Sequence, residues 1–321
     1  MAASSGSSQG QSIALIGAPT DIGAGRRGAS MGPEALRVAG LSASLTRMGY
    51  RVEDLGNIVG PLNPEAEAVD GYRHLDEVRE WCEKVRDEVF AMLDQGAVPI
   101  VLGGDHCLAI GSLAAVSHFC EQKGRPLSVL WLDAHADFNT PASSPSGNIH
   151  GMPVAVATGN GPSGLTNLGH RLPMIEPRQI IQVGIRSVDE IERRGLADSH
   201  LVVYDMRRID EIGMRAVMEQ ALTQVQSENG HLHVSFDVDF LDPEIAPGVP
   251  TVVPGGPTYR EAQLCMEMIS DAGLLASLDI MELNPAFDLH NKTAELVVEL
   301  VESLFGEQTL ARTHDKEKYR L

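Results

Sequence analysis

The sequence of 321 residues has few of the features that mark secreted or membrane-spanning proteins. Its four cysteines show no C-x-x-C spacing, which in a chain of this length predicts reduced, buried thiols and no disulfides. They are Cys82, Cys107, Cys120 and Cys265. No apolar run reaches the roughly 20 residues that span a bilayer, and the first segment, MAASSGSSQGQ, lacks the basic and apolar regions of a signal peptide. These absences predict a cytoplasmic protein with a disordered tail over residues 1–11.

Basic residues are scarce relative to acidic ones. The 25 Lys and Arg stand against 44 Asp and Glu, which gives a net charge of -19. A field of this sign repels nucleic acid and anionic membranes and favours cationic ligands, although net charge also serves solubility alone. We therefore expect a small cationic ligand and no nucleic-acid or membrane partner.

Eight short apolar runs alternate with longer charged segments, which is typical of parallel βα units. The runs are SIALIG, YRVEDLG, VPIVLGG, LSVLWLD, IIQVGI, LVVYDM, LHVSFDVD and LASLDIMEL. One intervening segment predicts a helix with a single apolar face, formed by Leu75, Val78, Trp81, Cys82, Val85, Val89 and Met92. Runs that are apolar throughout indicate strands covered by helices on both sides. A three-layer α/β/α sandwich fits best, as one domain over residues 12–308 followed by a charged tail over 309–321. The pattern alone does not separate it from a closed barrel of eight βα units.

A glycine motif after the first strand formally matches the dinucleotide-binding fingerprint. Gly23, Gly25 and Gly28 have the G-x-G-x-x-G spacing. In that fingerprint the glycines lie on the turn into the helix, where the helix N-terminus meets the pyrophosphate. Here Pro33, a typical first helical residue, indicates a helix that begins well after Gly28. We interpret the segment as a long glycine-rich active-site loop.

Residue types that bind metal are concentrated at four strand ends. The segments are GGDHC with Asp105 and His106, DAHADFN with Asp133, His135 and Asp137, FDVDFLD with Asp237, Asp239 and Asp242, and DIMELNP with Asp279 and Glu282. In an extended segment residues i, i+2 and i+4 point the same way, so each D-x-H-x-D or D-x-D set would face one site. Converging carboxylates raise one another's pKa steeply unless a cation is present. Four aspartates and two histidines exceed what one ion needs and predict two ions roughly 3.5–4 Å apart. Oxygen-rich ligation favours manganese over zinc.

The motifs together resemble a known family. GGDHCLAIGS, WLDAHADFNTP, SGNIHGMPVA, SFDVDFLDPEIAPGV, GGPTYRE and SLDIMELNP are similar to those of the ureohydrolase superfamily and, within it, the arginases, in the same order from about Ile13 to Phe305. The resemblance implies an α/β/α fold with an eight-stranded, mainly parallel sheet, two Mn²⁺ per subunit, a trimer or hexamer, and conversion of L-arginine to L-ornithine and urea. The implied metal ligands are His106, Asp133, His135, Asp137, Asp237 and Asp239, with Asp133 and Asp237 bridging.

The residues also suggest a mechanism. Two divalent ions lower the pKa of a shared water towards about 7, which supplies a nucleophile for the unreactive guanidinium carbon. Asp137 is placed to relay a proton to the departing amine, and Glu282 to hold the guanidinium by charge-assisted hydrogen bonds. His150, on the glycine-flanked loop SGNIHG, has a near-neutral ordinary pKa that suits proton exchange with solvent.

Substrate identity depends on the other end of the pocket. By resemblance, Asn139 and Ser146 match residues that contact the α-carboxylate, Asp189 matches an acid that helps bind the α-amino group, and Thr251 lies near the substrate. Two departures from the family pattern affect this end: Ser187 replaces an aspartate, and Pro250 and Val252 alter the APGxGTP stretch. The alternatives are an agmatinase or another ureohydrolase such as a guanidinobutyrase or formiminoglutamase and, in a different class, an arginine-binding protein without turnover.

Overall fold

The structure, a computed structural model, describes residues 10–64, 66–225 and 229–310. Apart from residues 10–11 and 309–310, the two predicted tails lie outside the described residues, and the domain limits stay a prediction. Among the described helices, none is long and apolar enough to cross a membrane.

All eight apolar runs form strands of one sheet. They are β1 (Ser12–Ala18), β2 (Arg51–Asn57), β3 (Val98–Gly103), β4 (Leu127–Leu132), β5 (Ile180–Ile185), β6 (Val202–Asp205), β7 (His231–Asp237) and β8 (Leu275–Met281). Their order is β2-β1-β3-β8-β7-β4-β5-β6, and every paired strand is parallel. Within the described residues β2 and β6 are open edges, so the closed-barrel alternative is wrong and the open sheet is confirmed.

Helices cover both faces of the sheet. They are α1 (Gly32–Val38), α2 (Leu41–Arg47), α3 (Leu75–Asp94), α4 (Ala109–Lys123), α5 (Pro153–Ala157), α6 (Ser163–Thr166), α7 (Glu190–Asp198), α8 (Met206–Gln224), α9 (Tyr259–Ala272) and α10 (Lys292–Leu304). Successive side chains of a strand point to opposite faces of the sheet. In β4, Leu130 and Leu132 join one core, which is covered by α1, α2, α8, α9 and α10. Val129 and Trp131 join the other core, which is covered by α3, α4 and α5. The three-layer sandwich is confirmed.

Helix α3 shows how the pattern determines packing. Five of its seven predicted core positions are buried, and Leu75 and Met92 at the ends of the face are partly buried against the same core. The face lies towards α4 and β3, as a 3.6-residue period requires.

The order of the strands positions the functional site. The last two strands, β7 and β8, lie between β3 and β4, so four strands that carry metal-ligand residue types are neighbours at the centre of the sheet. Because all are parallel, their carboxyl ends meet at one edge, where open α/β sheets bind ligands. The glycine-rich segment follows β1 at this edge, and α1 begins at Gly32, after Gly28, as predicted.

Candidate active site

The site begins where β3 ends. Asp105 caps the short 3₁₀ helix His106–Leu108 by accepting the N–H of Cys107 on Oδ1 at 3.0 Å. Its Oδ2 accepts the N–H of Gly23 at 2.9 Å, which ties the glycine-rich loop to the strand end. Burial and the charge of Glu282 raise the pKa of Asp105 to about 6. Asp105 therefore orients the chain and lies outside the groups of side chains that could hold an ion.

The imidazole of His106 lies among carboxylates. Its Nδ1 is 2.9 Å from Asp237 Oδ2, 3.2 Å from Asp133 Oδ2 and 3.3 Å from Asp137 Oδ2. The ring stacks on the indole of Trp131 with 4.2 Å between centroids. Burial alone would lower the pKa of His106, but the hydrogen bond that it donates to Asp133 and the charge of Asp137 outweigh burial and raise it to about 9.

Asp133, directly after β4, faces two groups at once. Its Oδ2 lies towards His106 and also accepts the indole N–H of Trp131 at 2.9 Å. Its Oδ1 lies 3.6 Å from Nδ1 of His135 and accepts the backbone N–H of that residue at 2.6 Å. One carboxylate thus contributes to both candidate metal-binding groups.

The second group is built from β4 and β7. Nδ1 of His135 lies 3.0 Å from Oδ2 of Asp239, whose Oδ1 accepts the N–H of Ala134 at 3.1 Å. Asp237 caps the turn after β7 by accepting the N–H of Asp239 at 2.7 Å. The groups His106/Asp133/Asp137 and Asp133/His135/Asp239 could each hold an ion. Among the described residues Asp237 belongs to neither group, although its Oδ2 lies 2.9 Å from Nδ1 of His106.

The charges of this cluster favour a bound cation. We call His106, Asp133, His135, Asp137, Asp237 and Asp239 the carboxylate cluster. Burial first, and then the charges of neighbouring aspartates, raise the pKa values of Asp137 and Asp237 well above the usual range. Burial also raises the pKa of Asp239. Asp133 alone has a lowered pKa, because hydrogen bonds from His106 and His135 outweigh its burial. Four buried carboxylates of this kind are stable as anions only around added positive charge.

Glu282 and His150 adjoin the cluster. Oε1 of Glu282 accepts the N–H of His106 at 2.8 Å and lies 3.1 Å from Nδ1 of His150, while its buried Oε2 has no partner among the described residues. Burial lowers the pKa of His150, but the hydrogen bond and charge of Glu282 outweigh it and the net shift is upward. Asp137 and Glu282 both have positive φ, 49° and 62°, a sparsely populated conformation that is common at functional sites.

A cavity of about 270 Å³ extends from the cluster towards solvent. Its lining includes the residues expected to contact the amino-acid end of the substrate, which are Asn139, Ser146, Asp189 and Thr251. Nδ2 of Asn139 donates to Oδ2 of Asp189 at 3.0 Å, so these two side chains are brought together. Ser146 Oγ accepts the N–H of Asn148 at 3.2 Å and lies on the loop wall. The predicted site residues thus surround one cavity or lie directly at its floor.

Comparisons with known proteins agree with this geometry. The model of the arginase family matches residues 11–306. The arginase of Bacillus subtilis (strain 168) is 46% identical over 301 residues, which cover 94% of this chain and 99% of that protein. The arginase of Bacillus caldovelox is 44% identical over 300 residues, which cover 93% and 99%.

The chain belongs to the arginase family. A solved structure of the Bacillus caldovelox arginase is similar with a TM-score of 0.88 at 42% identity, covering 94% of this chain and all of that one. The family resemblance stated from the motifs is therefore confirmed. Because it is this similar to named arginases over most of its length, the chain is a hydrolase.

Several residues at the arginase-family site were not indicated by the sequence. Glu192 lines the cavity and is buried, and its Oε1 and Oε2 accept the N–H groups of Phe138 at 2.9 Å and Asp189 at 3.1 Å. The sequence indicates this role only by position. Glu192 lies three residues after Asp189, at the start of α7, where an acidic side chain can accept the backbone N–H of the residue that caps the helix. Trp131 and Ser235 gave no signal, since their contacts depend on which strands are neighbours.

The departures from the arginase-family pattern lie at the cavity mouth. Ser187 lines the cavity and forms a β-bridge with His135. The carbonyl of Pro250 accepts a hydrogen bond from Nη1 of Arg26 at 3.1 Å, and Val252 is exposed beside a second opening at the mouth. Ser187 thus belongs to the cavity wall beside His135, and Pro250 and Val252 line the adjacent opening.

Arg186 holds the loop that carries Asp239. Its guanidinium donates to five backbone carbonyls, those of Gly184, Asp239, Phe240, Leu241 and Val253. Burial lowers its pKa, although nearby Asp239 opposes that change. The clasp fixes the turn after β7 against the end of β5.

Proposed function

We propose that this chain hydrolyses the guanidinium group of L-arginine to L-ornithine and urea with two Mn²⁺ per subunit. The observation that carries the proposal is the carboxylate cluster, in which Asp133 is common to two groups at the floor of a cavity. Its six side chains offer oxygen-rich ligation with two imidazoles, a donor set that fits manganese. We assign the six as the side chains that would hold the ions, with Asp133 common to both groups. Bound together, two divalent ions supply an acidified water as nucleophile and Lewis-acid stabilisation of developing charge.

Glu282 is the proposed guanidinium anchor. Its free, buried Oε2 is available to accept guanidinium N–H groups, while Oε1 is held by His106 and His150. A charge-assisted contact of this kind fixes the direction of a planar cation. Glu282 thus orients the substrate carbon above the cluster.

Proton transfer is assigned to two residues. Asp137 lies beside His106 at the cavity floor, and we propose that it gives a proton to the departing amine. His150 is half-buried at the cavity wall, and we propose that it exchanges protons with solvent between turnovers.

The far end of the cavity favours an α-amino acid. Asn139, Ser146 and Thr251 offer hydrogen-bond donors to a carboxylate, and Asp189 an anion to an ammonium. Agmatine has no carboxylate, so the donors would stay unpaired in its complex, which disfavours binding. We therefore propose arginine in preference to agmatine or 4-guanidinobutyrate.

A urea assay of the purified protein with saturating Mn²⁺ tests this assignment, using the three substrates side by side. We expect kcat/KM for arginine to exceed the others by more than 10²-fold, within the range seen when a site hydrogen-bonds a substrate group. Comparable values for agmatine would overturn the substrate assignment alone. Arginine binding without urea release would instead support the non-catalytic alternative. The trimer or hexamer and the cytoplasmic location stay predictions, testable by light scattering and cell fractionation.

A further inference from the structure

A second set of buried polar side chains continues below the carboxylate cluster. On the face of β7 and β8 covered by α4, polar residues alternate with the apolar ones that point to the other core. We call His231, His233, Ser277, Asp279 and Ser112 the polar ladder. Ser277 Oγ lies 2.8 Å from His231 Nε2 and 2.9 Å from His233 Nδ1, and Asp279 Oδ2 pairs with His233 Nε2 at 3.1 Å and with the hydroxyl of Ser112.

Ser235 lies between the ladder and the cluster. Its Oγ is 2.9 Å from Nε2 of His106, and the register of β7 and β8 pairs Ser235 with Asp279 on the same face. Asp279 Oδ1 is buried and has no hydrogen-bond partner in the described part of the chain. The hydroxyl of Ser235 therefore meets the ring nitrogen of His106 that is not directed at the aspartates.

We propose that Ser235 is a positioning residue for His106. The inference rests on the proposed role of His106 as a metal ligand. An imidazole that offers the Nδ1 lone pair to an ion carries its proton on Nε2 and needs an acceptor there. Ser235 Oγ, 2.9 Å from Nε2, is that acceptor. Such a partner fixes the tautomer and ring orientation and increases the basicity of the ligand.

The test compares Ser235→Ala with Ser277→Ala. Both remove a buried hydroxyl from the same face of the sheet, but only Ser235 contacts a proposed ligand. We expect Ser235→Ala to weaken one of two Mn²⁺ sites by about 10–100-fold in equilibrium dialysis. Its electron paramagnetic resonance spectrum should change from a spin-coupled pair to a single ion. Ser277→Ala should keep both ions within about twofold, and Ser235→Thr, which keeps the hydroxyl, should restore the pair.

Unchanged affinity in Ser235→Ala, or an equal loss in Ser277→Ala, would overturn the inference. If the alanine variant does not fold, Ser235→Cys replaces it, because a thiol of similar size is a weak acceptor and should still weaken the site. His106→Ala separates the two levels of the argument. Loss of an ion in His106→Ala but not in the Ser235 variants refutes the positioning role alone, whereas retention of both ions in His106→Ala refutes the metal assignment itself.

Discussion

The carboxylate cluster and the polar ladder are adjacent and largely buried, yet their polar groups are of different kinds. In the ladder, hydroxyls and imidazoles alternate with one carboxylate, Asp279, and most of these groups pair with one another, while Nδ1 of His231 and Oδ1 of Asp279 have no partner among the described residues. In the cluster, four carboxylates converge on two imidazoles, and burial raises the pKa of Asp137, Asp237 and Asp239. A buried network with a single carboxylate and several hydrogen-bond partners supports the fold, whereas four converging carboxylates indicate a site for a cation.

The largest expected effect comes from Asp133, which is common to both candidate groups. Asp133→Asn should lose both ions and reduce urea release to background, because the shared anion is removed from each group. Metal content and activity, measured together, check this. Asp279→Asn, an equally buried change in the ladder, is the control and should retain measurable turnover. If Asp133→Asn kept its full metal content, the carboxylate cluster would no longer differ from the polar ladder in binding a cation.

Glu282→Gln should reduce kcat/KM by roughly 10²–10³-fold, as expected when one partner of a buried charge pair is removed. The amide keeps an acceptor for the N–H of His106, so both ions should remain bound. Elemental analysis beside arginine kinetics distinguishes the two effects. If the variant loses metal, Glu282 belongs to the cluster rather than to substrate binding.

His150→Asn should retain both ions and lose about 10²-fold in kcat, the typical contribution of a proton-transfer group. Added imidazole should restore part of the rate, since a diffusible base can replace the side chain. Rescue is measured as urea release against imidazole concentration, with the parent protein as control. A variant that binds one ion fewer would instead identify His150 as a ligand.

Asn139→Ala should lower kcat/KM for arginine by roughly 10–100-fold and leave agmatine hydrolysis nearly unchanged, because about 1–3 kcal/mol is typical when a hydrogen bond to a charged group is removed. Loss of remote binding energy should affect kcat as well as KM. Parallel kinetics with both substrates give the ratio. An equal loss for arginine and agmatine would indicate a general disturbance of the loop.

The smallest effect concerns acid stability and belongs to the ladder. Burial, followed by the charges of His233 and Arg125, lowers the pKa of His231 to about 3. The unfolded chain protonates this histidine below about pH 6.5 while the folded chain does not. Its contribution to stability is therefore complete above pH 6.5 and is lost as the pH falls towards 3.

His231→Gln removes this proton uptake. Between pH 7 and pH 5 the free energy of unfolding should fall by about 2 kcal/mol less in the variant than in the parent. Unfolding curves in urea, recorded at several pH values, measure the difference. Comparing the variant with the parent cancels the contributions that the carboxylate cluster makes to the pH dependence of stability in both proteins. Parallel pH profiles would show that His231 is protonated in the folded state.

The fold was largely predictable because each strand and each amphipathic helix has a local pattern. The choice between sheet and barrel was not, since it depends on whether β2 and β6 meet. At the site, D-x-H-x-D and G-D-H indicated the ligand types directly. The contacts of Trp131 and Ser235 depend on β7 and β8 lying between β3 and β4, and the positive φ of Asp137 and Glu282 depends on the surrounding loops. No local pattern specifies either.

The clasp formed by Arg186 has a consequence for the metal-free protein. Because its described hydrogen bonds all go to neutral carbonyls, its charge is not neutralised in a salt bridge and acts on Asp133, Asp237 and Asp239 instead. A guanidinium does not dissociate or lose its proton near neutral pH. Arg186 thus keeps one positive charge near these aspartates whether or not metal is bound. This fixed charge limits the electrostatic repulsion among the aspartates in the metal-free protein.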